Sequence, residues 1–215
     1  MKIFCDSYMN KAVDDVMDNF DKEDEYLSKR FNNINVSGSS VTDKEFEDCT
    51  FTECDFSEVL FDKCTFIDCH FVKCNLSVAK LSYSKFSDVV FDECKVIGID
   101  WTKATWPNLT TFAQVKFHKS ILNDSSFYGL EMEELVLEDC KVHDVDFREG
   151  NFNEADFSGT DFLHSLFGKT NLTSANFSES TNYNIDVYDN RIKGAKFCRF
   201  EAVSLLESLE IELVD

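Results

Sequence analysis

The sequence predicts an all-β chain wound into a square coil of parallel strands. Three observations predict it: large apolar residues recur every five positions, small residues recur two positions before them, and acids avoid both columns. The large residues, here called centres, run Phe46, Phe51, Phe56, Phe61, Phe66, Phe71, Leu76, Leu81, Phe86, Phe91, Val96 and Trp101. Phe31, Val36 and Val41 extend the series backward and Trp106 extends it forward. At Pro107 the register slips by one residue and resumes at Phe112, Phe117, Leu122 and Phe127, continuing to Phe177; Asn182 breaks it, and Val187, Ile192 and Phe197 close it. The small column reads Cys49, Cys54, Val59, Cys64, Cys69, Cys74 and Ala79, and later Ser120, Ser125, Cys140, Ala155, Thr160 and Ala175. A helix wants a period of 3.6 and a strand a period of 2. A period of five fits a chain that turns a corner every five residues. Four faces then make one coil of about 20 residues, and coils stack about 4.8 Å apart as parallel strands do.

Charge tests this reading. Residues 31–197 hold 28 acids and 15 bases, and no acid falls on a centre or on the small column. Chance would place about eleven acids there, and an unpaired buried carboxylate is too costly to tolerate. Fifteen of the acids stand two residues after a centre, a column that must face water.

The elements follow in order. Residues 1–30 form an N-terminal cap: Val13, Val16, Met17 and Phe20 stand at helical spacing, and an open coil end needs covering. Residues 31–106 form a first stack. The Trp106-Pro107 slip marks a bulge or slight bend, because proline cannot sit in a fully paired strand. Residues 107–198 form a second stack. In 199–215, Ala202, Val203, Leu205, Leu206 and Leu209 fit a short helix, and Ile211, Leu213 and Val214 a brief strand. Their apolar side chains exceed the needs of an end cap, which points to a two-fold interface between copies.

Composition excludes several functions. The 215-residue chain carries 41 acids and 21 bases, a net charge of -20, so direct nucleic-acid binding is not expected. No segment is apolar enough to span a membrane, and the acidic N-terminus is no secretory signal. Twenty-two Phe argue against disorder, and one Pro with 7 Gly suits a regular structure. Cys49, Cys54, Cys64, Cys69 and Cys74 suggest a metal cluster at first sight, but the repeat puts neighbours on different faces, where they replace Ala and Ser as small hydrophobes. A redox or metal role would require reactive thiols. His70, His118, His143 and His164 fall on outward positions, and no phosphate-binding glycine loop is present. The sequence supports no catalytic residue, cofactor or metal.

The units CDFSE (54–58), CNLSV (74–78), ADFSG (155–159) and ANFSE (175–179) resemble the pentapeptide-repeat family, whose consensus is A-(D/N)-L-x-x. The resemblance covers roughly residues 31–198, with Phe favoured over Leu and, in the first half, Cys over Ala. It implies a right-handed quadrilateral β-helix. The ending SLLESLEIELVD is similar to that of the Qnr and MfpA type of pentapeptide-repeat proteins. That similarity implies a tail-to-tail homodimer through Val203, Leu205, Leu206, Leu209, Ile211 and Leu213. It implies a rod that binds DNA gyrase or topoisomerase IV in a bacterial cytoplasm and protects it from quinolones. The Qnr type also carries projecting loops. Here the spacing shows no insertion beyond one residue near Pro107, so loopless members are the closer comparison.

With coils of 20 residues, Asp48, Asp68 and Asp88 share one column; after the slip Glu149 and Asp189 rejoin it, with Lys169 interrupting. This acidic face is the expected contact surface. A dimer with about half the charge density of duplex DNA would be drawn to a basic DNA-binding groove. A scaffold for some other protein is the alternative reading.

Overall fold

A computed structural model describes Phe20 and residues 23–106, 115–209, 211 and 214. Strands of three residues, such as Glu45–Glu47, Thr50–Thr52, Thr65–Ile67 and His70–Val72, alternate with sharp corners. Phe46 pairs in parallel with Phe66 and Phe66 with Phe86, while Phe51 pairs with Phe71 and Phe71 with Phe91. The chain is a parallel β-solenoid of about eight turns. The five-residue period arises because each centre points to the axis and its unit ends in a corner. Four ladders of centres line the tube. The first face carries Tyr26, Phe46, Phe66, Phe86, Trp106, Met132, Phe152, Leu172 and Ile192. The second begins at Phe31, the third at Val36 and the fourth at Val41.

The core is a set of aromatic columns. Phe51 and Phe71 stack at 4.6 Å between ring centroids, and Phe127 and Phe147 at 5.4 Å with planes 4° apart. Rings on adjacent faces meet edge to face, as Phe46 and Phe51 do at 71°. Each such pair contributes about 0.5–1.5 kcal/mol beyond burial.

The motif letters have local jobs. The residue before each centre, when Asp or Asn, accepts a hydrogen bond from the N–H two residues on. Ser57 N donates to Asp55 Oδ1 at 3.0 Å and Ser77 N to Asn75 Oδ1 at 3.1 Å. Ser158 and Ser178 repeat this contact with Asp156 and Asn176. The residue two after the centre adopts a left-handed conformation: φ is 51° at Asp48, 50° at Asp68 and 53° at Asp88. Such a residue costs about 1 kcal/mol. The corner offsets this by turning its N–H along the axis, so that Asp48 N donates to Ile67 O and Asp68 N to Ser87 O.

The small column is a hydrogen-bond ladder as well as a packing column. Cys64 Sγ donates to Val41 O at 3.2 Å, Cys69 Sγ to Phe46 O at 3.3 Å and Thr160 Oγ1 to Leu137 O at 2.6 Å. Each bond ties one coil to the carbonyl of a centre in the coil before it.

Three expectations need correction, and a fourth lies outside the described residues. The coil starts earlier than residue 31: Glu25–Leu27 is a strand paired with Glu45–Glu47, and Tyr26 is the first centre. The expected helix over 10–20 lies outside the described residues apart from Phe20, which closes the tube against Tyr26, Phe31 and Phe46. The slip at Pro107 is larger than one residue. Phe91 pairs with Phe117 and Trp101 stacks on Phe127, a step of 26 rather than 20. The chain therefore spends six extra residues between Trp106 and Phe117; Phe112, read as a centre, lies outside the described residues. At the far end Glu201–Leu209 is a 3-10 helix laid over the last coil, with Ser204 Oγ donating to Tyr183 O at 3.4 Å. Ile211 and Val214 are not in a strand, and Leu213 lies outside the described residues. Where Asn182 breaks the series, Tyr183 and Ile185 fill the core instead.

Candidate functional site

The 26-residue step redraws the charge map. Followed through it, the corner column of Asp48, Asp68 and Asp88 continues to Glu134 and Glu154. Glu149 and Asp189 do not rejoin that column. They stand with Lys169 on the preceding corner, which in the first stack carries Asp43, Lys63, Tyr83 and Lys103. The two corners border the same face, the first. The five expected contact residues therefore flank one face from opposite edges.

That face gathers the acid. Its outward positions hold Glu25, Glu45, Glu47, Asp48, Asp68, Asp88, Glu131, Glu133, Glu134 and Glu154. Against these stand Lys85 and, in the last coil, Arg191 and Lys193. The edge that carries Glu149 and Asp189 is mixed, with Lys63, Lys103 and Lys169, and Lys44 pairs with Asp24 at 2.9 Å. The second face instead alternates signs, with Lys73 beside Glu93 at 3.8 Å and His118 beside Glu138 at 2.9 Å. On the fourth, Arg148 grips Asp146 at 2.7 Å and holds its carboxyl below the usual range. Asp88 alone of the Asp48, Asp68, Asp88 column has an ion pair among the described residues, to Lys116 at 2.6 Å. Two coils are densest: Glu45, Glu47 and Asp48 in one, Glu131, Glu133 and Glu134 in another. Three charges per rise of about 4.8 Å match duplex DNA, which carries one per 1.7 Å. In sequence the six extra residues fall between these two clusters, after the half-buried Trp106.

Glu149 and Asp189 also line an open groove on the edge of this face. Gly150, Glu131, Asn151, Lys169, Asn171 and Arg191 complete its lining. Gly150 is the glycine of the small column: a Cβ there would meet the Phe152 ring at 2.5 Å.

The described cysteines of the small column serve packing. Cys49, Cys54, Cys64, Cys69, Cys74, Cys94 and Cys140 are buried, and no cluster suited to a metal is found among the described residues. Burial pushes the Cys64 thiol up to about 11 and the Cys69 and Cys140 thiols up to about 12. Such thiols stay protonated and unreactive. Among the described residues, no helix is long and apolar enough to cross a membrane.

At the tail, the expected interface residues divide. Leu205 packs on the core, Leu206 and Leu209 are half-buried, and Val203 and Ile211 are exposed together with Phe200 and Val214.

Comparison with known proteins accords with this architecture. The family model described as a pentapeptide repeat region matches residues 44–112 and 108–177. Two trypsin-treated forms of QnrB1, described as a plasmid-mediated fluoroquinolone resistance protein, share the fold. One is 23% identical over 92% of this chain and 94% of its own, with a TM-score of 0.61. The other is 20% identical over 88% and 97%, with a TM-score of 0.57. No curated protein is matched by sequence.

Proposed function

Because the chain belongs to the pentapeptide-repeat family, we propose that it is a Qnr-like DNA mimic that binds a type II topoisomerase, DNA gyrase or topoisomerase IV, in the cytoplasm. The observation that carries this reading is the acid of the first face and its Asp48 edge, where Lys85 is the one described base before the last coil and two coils are locally as dense as DNA. A basic groove built to neutralise phosphates would attract such a face before contact and hold it after. Asp48, Asp68 and Asp88 on one edge and Glu149 and Asp189 on the other are the proposed contacts, with Glu131, Glu133, Glu134 and Glu154 added by the register. Occupying the groove displaces the DNA segment. Displacing DNA inhibits the enzyme and also destabilises a quinolone-trapped cleavage complex. The protein acts by binding and performs no chemistry of its own.

The likeness to QnrB1 supports the reading, and the six extra residues reopen the comparison with members that project loops. The proposed active form is a tail-to-tail dimer through Val203, Leu205, Leu206, Leu209, Ile211 and Leu213. Exposed apolar side chains at that end, Phe200, Val203, Ile211 and Val214, support it. Leu206→Asp should then give a monomer by light scattering.

The experiment is a supercoiling assay with purified gyrase, titrating the protein with and without a quinolone, repeated with topoisomerase IV. Drug rescue at low concentration and inhibition at high concentration are expected. No effect on either enzyme would reject the proposal and leave a scaffold for another partner.

A further inference from the structure

On its first and second faces the last coil reverses the sign of the rod. Arg191, Lys193, Lys196 and Arg199 are all exposed on its first and second faces. None of the four makes an ion pair with a described residue. The coil beneath the first two is neutral there, with Asn171, Thr173 and Ser174. The chain that follows is acidic, with Glu207, Glu210, Glu212 and Asp215 in its last nine residues. A tail-to-tail dimer would bring the cations of both copies to its waist, where they would repel each other and interrupt the acidic face.

We infer that this basic coil is a docking surface for the acidic C-terminal segment of a second copy. The inference rests on the dimer reading above and adds an ionic component to its apolar contact. Two-fold symmetry makes the exchange reciprocal: each copy's cations receive the other's acids. Opposite charges at an interface rim set register and exclude wrong pairings. Here they would also neutralise the cationic stretch at the middle of the rod, so that the acid of the two first faces is not broken by a repulsive centre.

The test uses sedimentation of the full chain. Reversing the ring (Arg191→Glu, Lys193→Glu, Lys196→Glu, Arg199→Glu) should weaken dimerisation by about tenfold or more. Reversing the tail (Glu207→Lys, Glu210→Lys, Glu212→Lys) should do the same. An equimolar mixture of the two variants should restore a dimer, because each ring then meets a tail of opposite sign across the two-fold axis. Raising the salt from about 0.05 M to about 0.5 M should weaken the wild-type dimer. Ring reversal that leaves the dissociation constant within about twofold of wild type overturns the inference. So does a mixture that stays monomeric. If ring reversal is silent while Leu206→Asp still separates the copies, the dimer stands and only the ionic docking falls. A wild-type chain that is monomeric at every concentration removes both.

Discussion

The two stacks solve the same geometry with different chemistry. Between Tyr26 and Trp106 the commonest residue of the small column is Cys: Cys49, Cys54, Cys64, Cys69, Cys74 and Cys94. Between Val115 and Phe197 it is mostly hydroxyl and methyl: Ser120, Ser125, Thr160, Ser165, Thr170 and Ser180, with Ala155, Ala175 and one Cys140. Both kinds of side chain donate to a centre carbonyl one coil back. Cys54 does so at 3.6 Å and Ser180 at 2.7 Å. The comparison teaches that the position accepts a small side chain, apolar or donating, and that where it donates, thiol and hydroxyl do so unequally. A thiol brings more apolar bulk and a weaker bond. It also brings a proton that can be lost.

The centres give the largest test of how far the stacks share one core. Phe56→Ala in the first stack and Phe157→Ala in the second should each cost about 3–5 kcal/mol, since both rings are fully enclosed. Chemical denaturation should show one transition shifted by either change. Two separate transitions would mean that the six extra residues divide the rod into independent units.

Alkali should separate the stacks next. The thiols of Cys49, Cys54, Cys64 and Cys69 are all raised above their ordinary 9.0, mainly by burial except at Cys54, where the hydrogen bond with Cys74 leads. A folded-state value above the unfolded one means that the native chain holds the proton longer. The resulting stability is fully present below pH 9 and is lost as pH rises from 9 towards 11 or 12. The loss is about 1.4 kcal/mol per thiol for each pH unit in that window. Urea unfolding at pH 10 should therefore show a loss of several kcal/mol relative to pH 8. Cys64→Ser with Cys69→Ser should recover about a third of it, since six thiols are raised, while Cys140→Ser, alone in its stack, should recover about half as much. Equal recovery from the single and double changes would contradict the thiol account.

Gly150→Ala probes the second stack's one unusual step. The new methyl would press on Phe152 and should cost about 1–3 kcal/mol, measured by thermal unfolding. Alanine stands without strain at the equivalent Ala155 and Ala175.

The smallest effect on stability should come from the face proposed to work. Asp48→Lys, Asp68→Lys and Asp88→Lys together, or Glu131→Lys, Glu133→Lys and Glu134→Lys together, should each change stability by at most about 0.5 kcal/mol per site. Each set should weaken topoisomerase binding strongly. Unchanged binding for one set would confine the contact to the other stack's half of the face.

Much of this was legible in the sequence, and for a definite reason. Burial forbids charge, so the columns without acids mark the interior in the sequence itself. Every centre from Phe46 to Trp101 and from Phe117 to Phe162 is buried in the tube, and the acidic column two residues on is its corner. The left-handed conformation of that corner was not legible, because it is filled by Asp, Glu, Lys and Ser far more often than by Gly. Tyr26 was readable, five residues before Phe31, yet lies in a stretch otherwise taken for a cap.

The contact face was decided by the tertiary structure. A period of five is blind to whole repeats: an insertion of one residue and an insertion of six restore the same sequence register. Only the pairing of Phe91 with Phe117 tells them apart. That five-residue difference moves every residue of the second stack by one face from where a one-residue slip would put it, taking Glu149 and Asp189 off the Asp48 column and bringing Glu134 and Glu154 onto it. Local pattern determined what is inside and what is outside, because burial acts residue by residue. Which outward residues share a face depends on the winding between coils, and that is set by contacts between residues 20 and 26 apart.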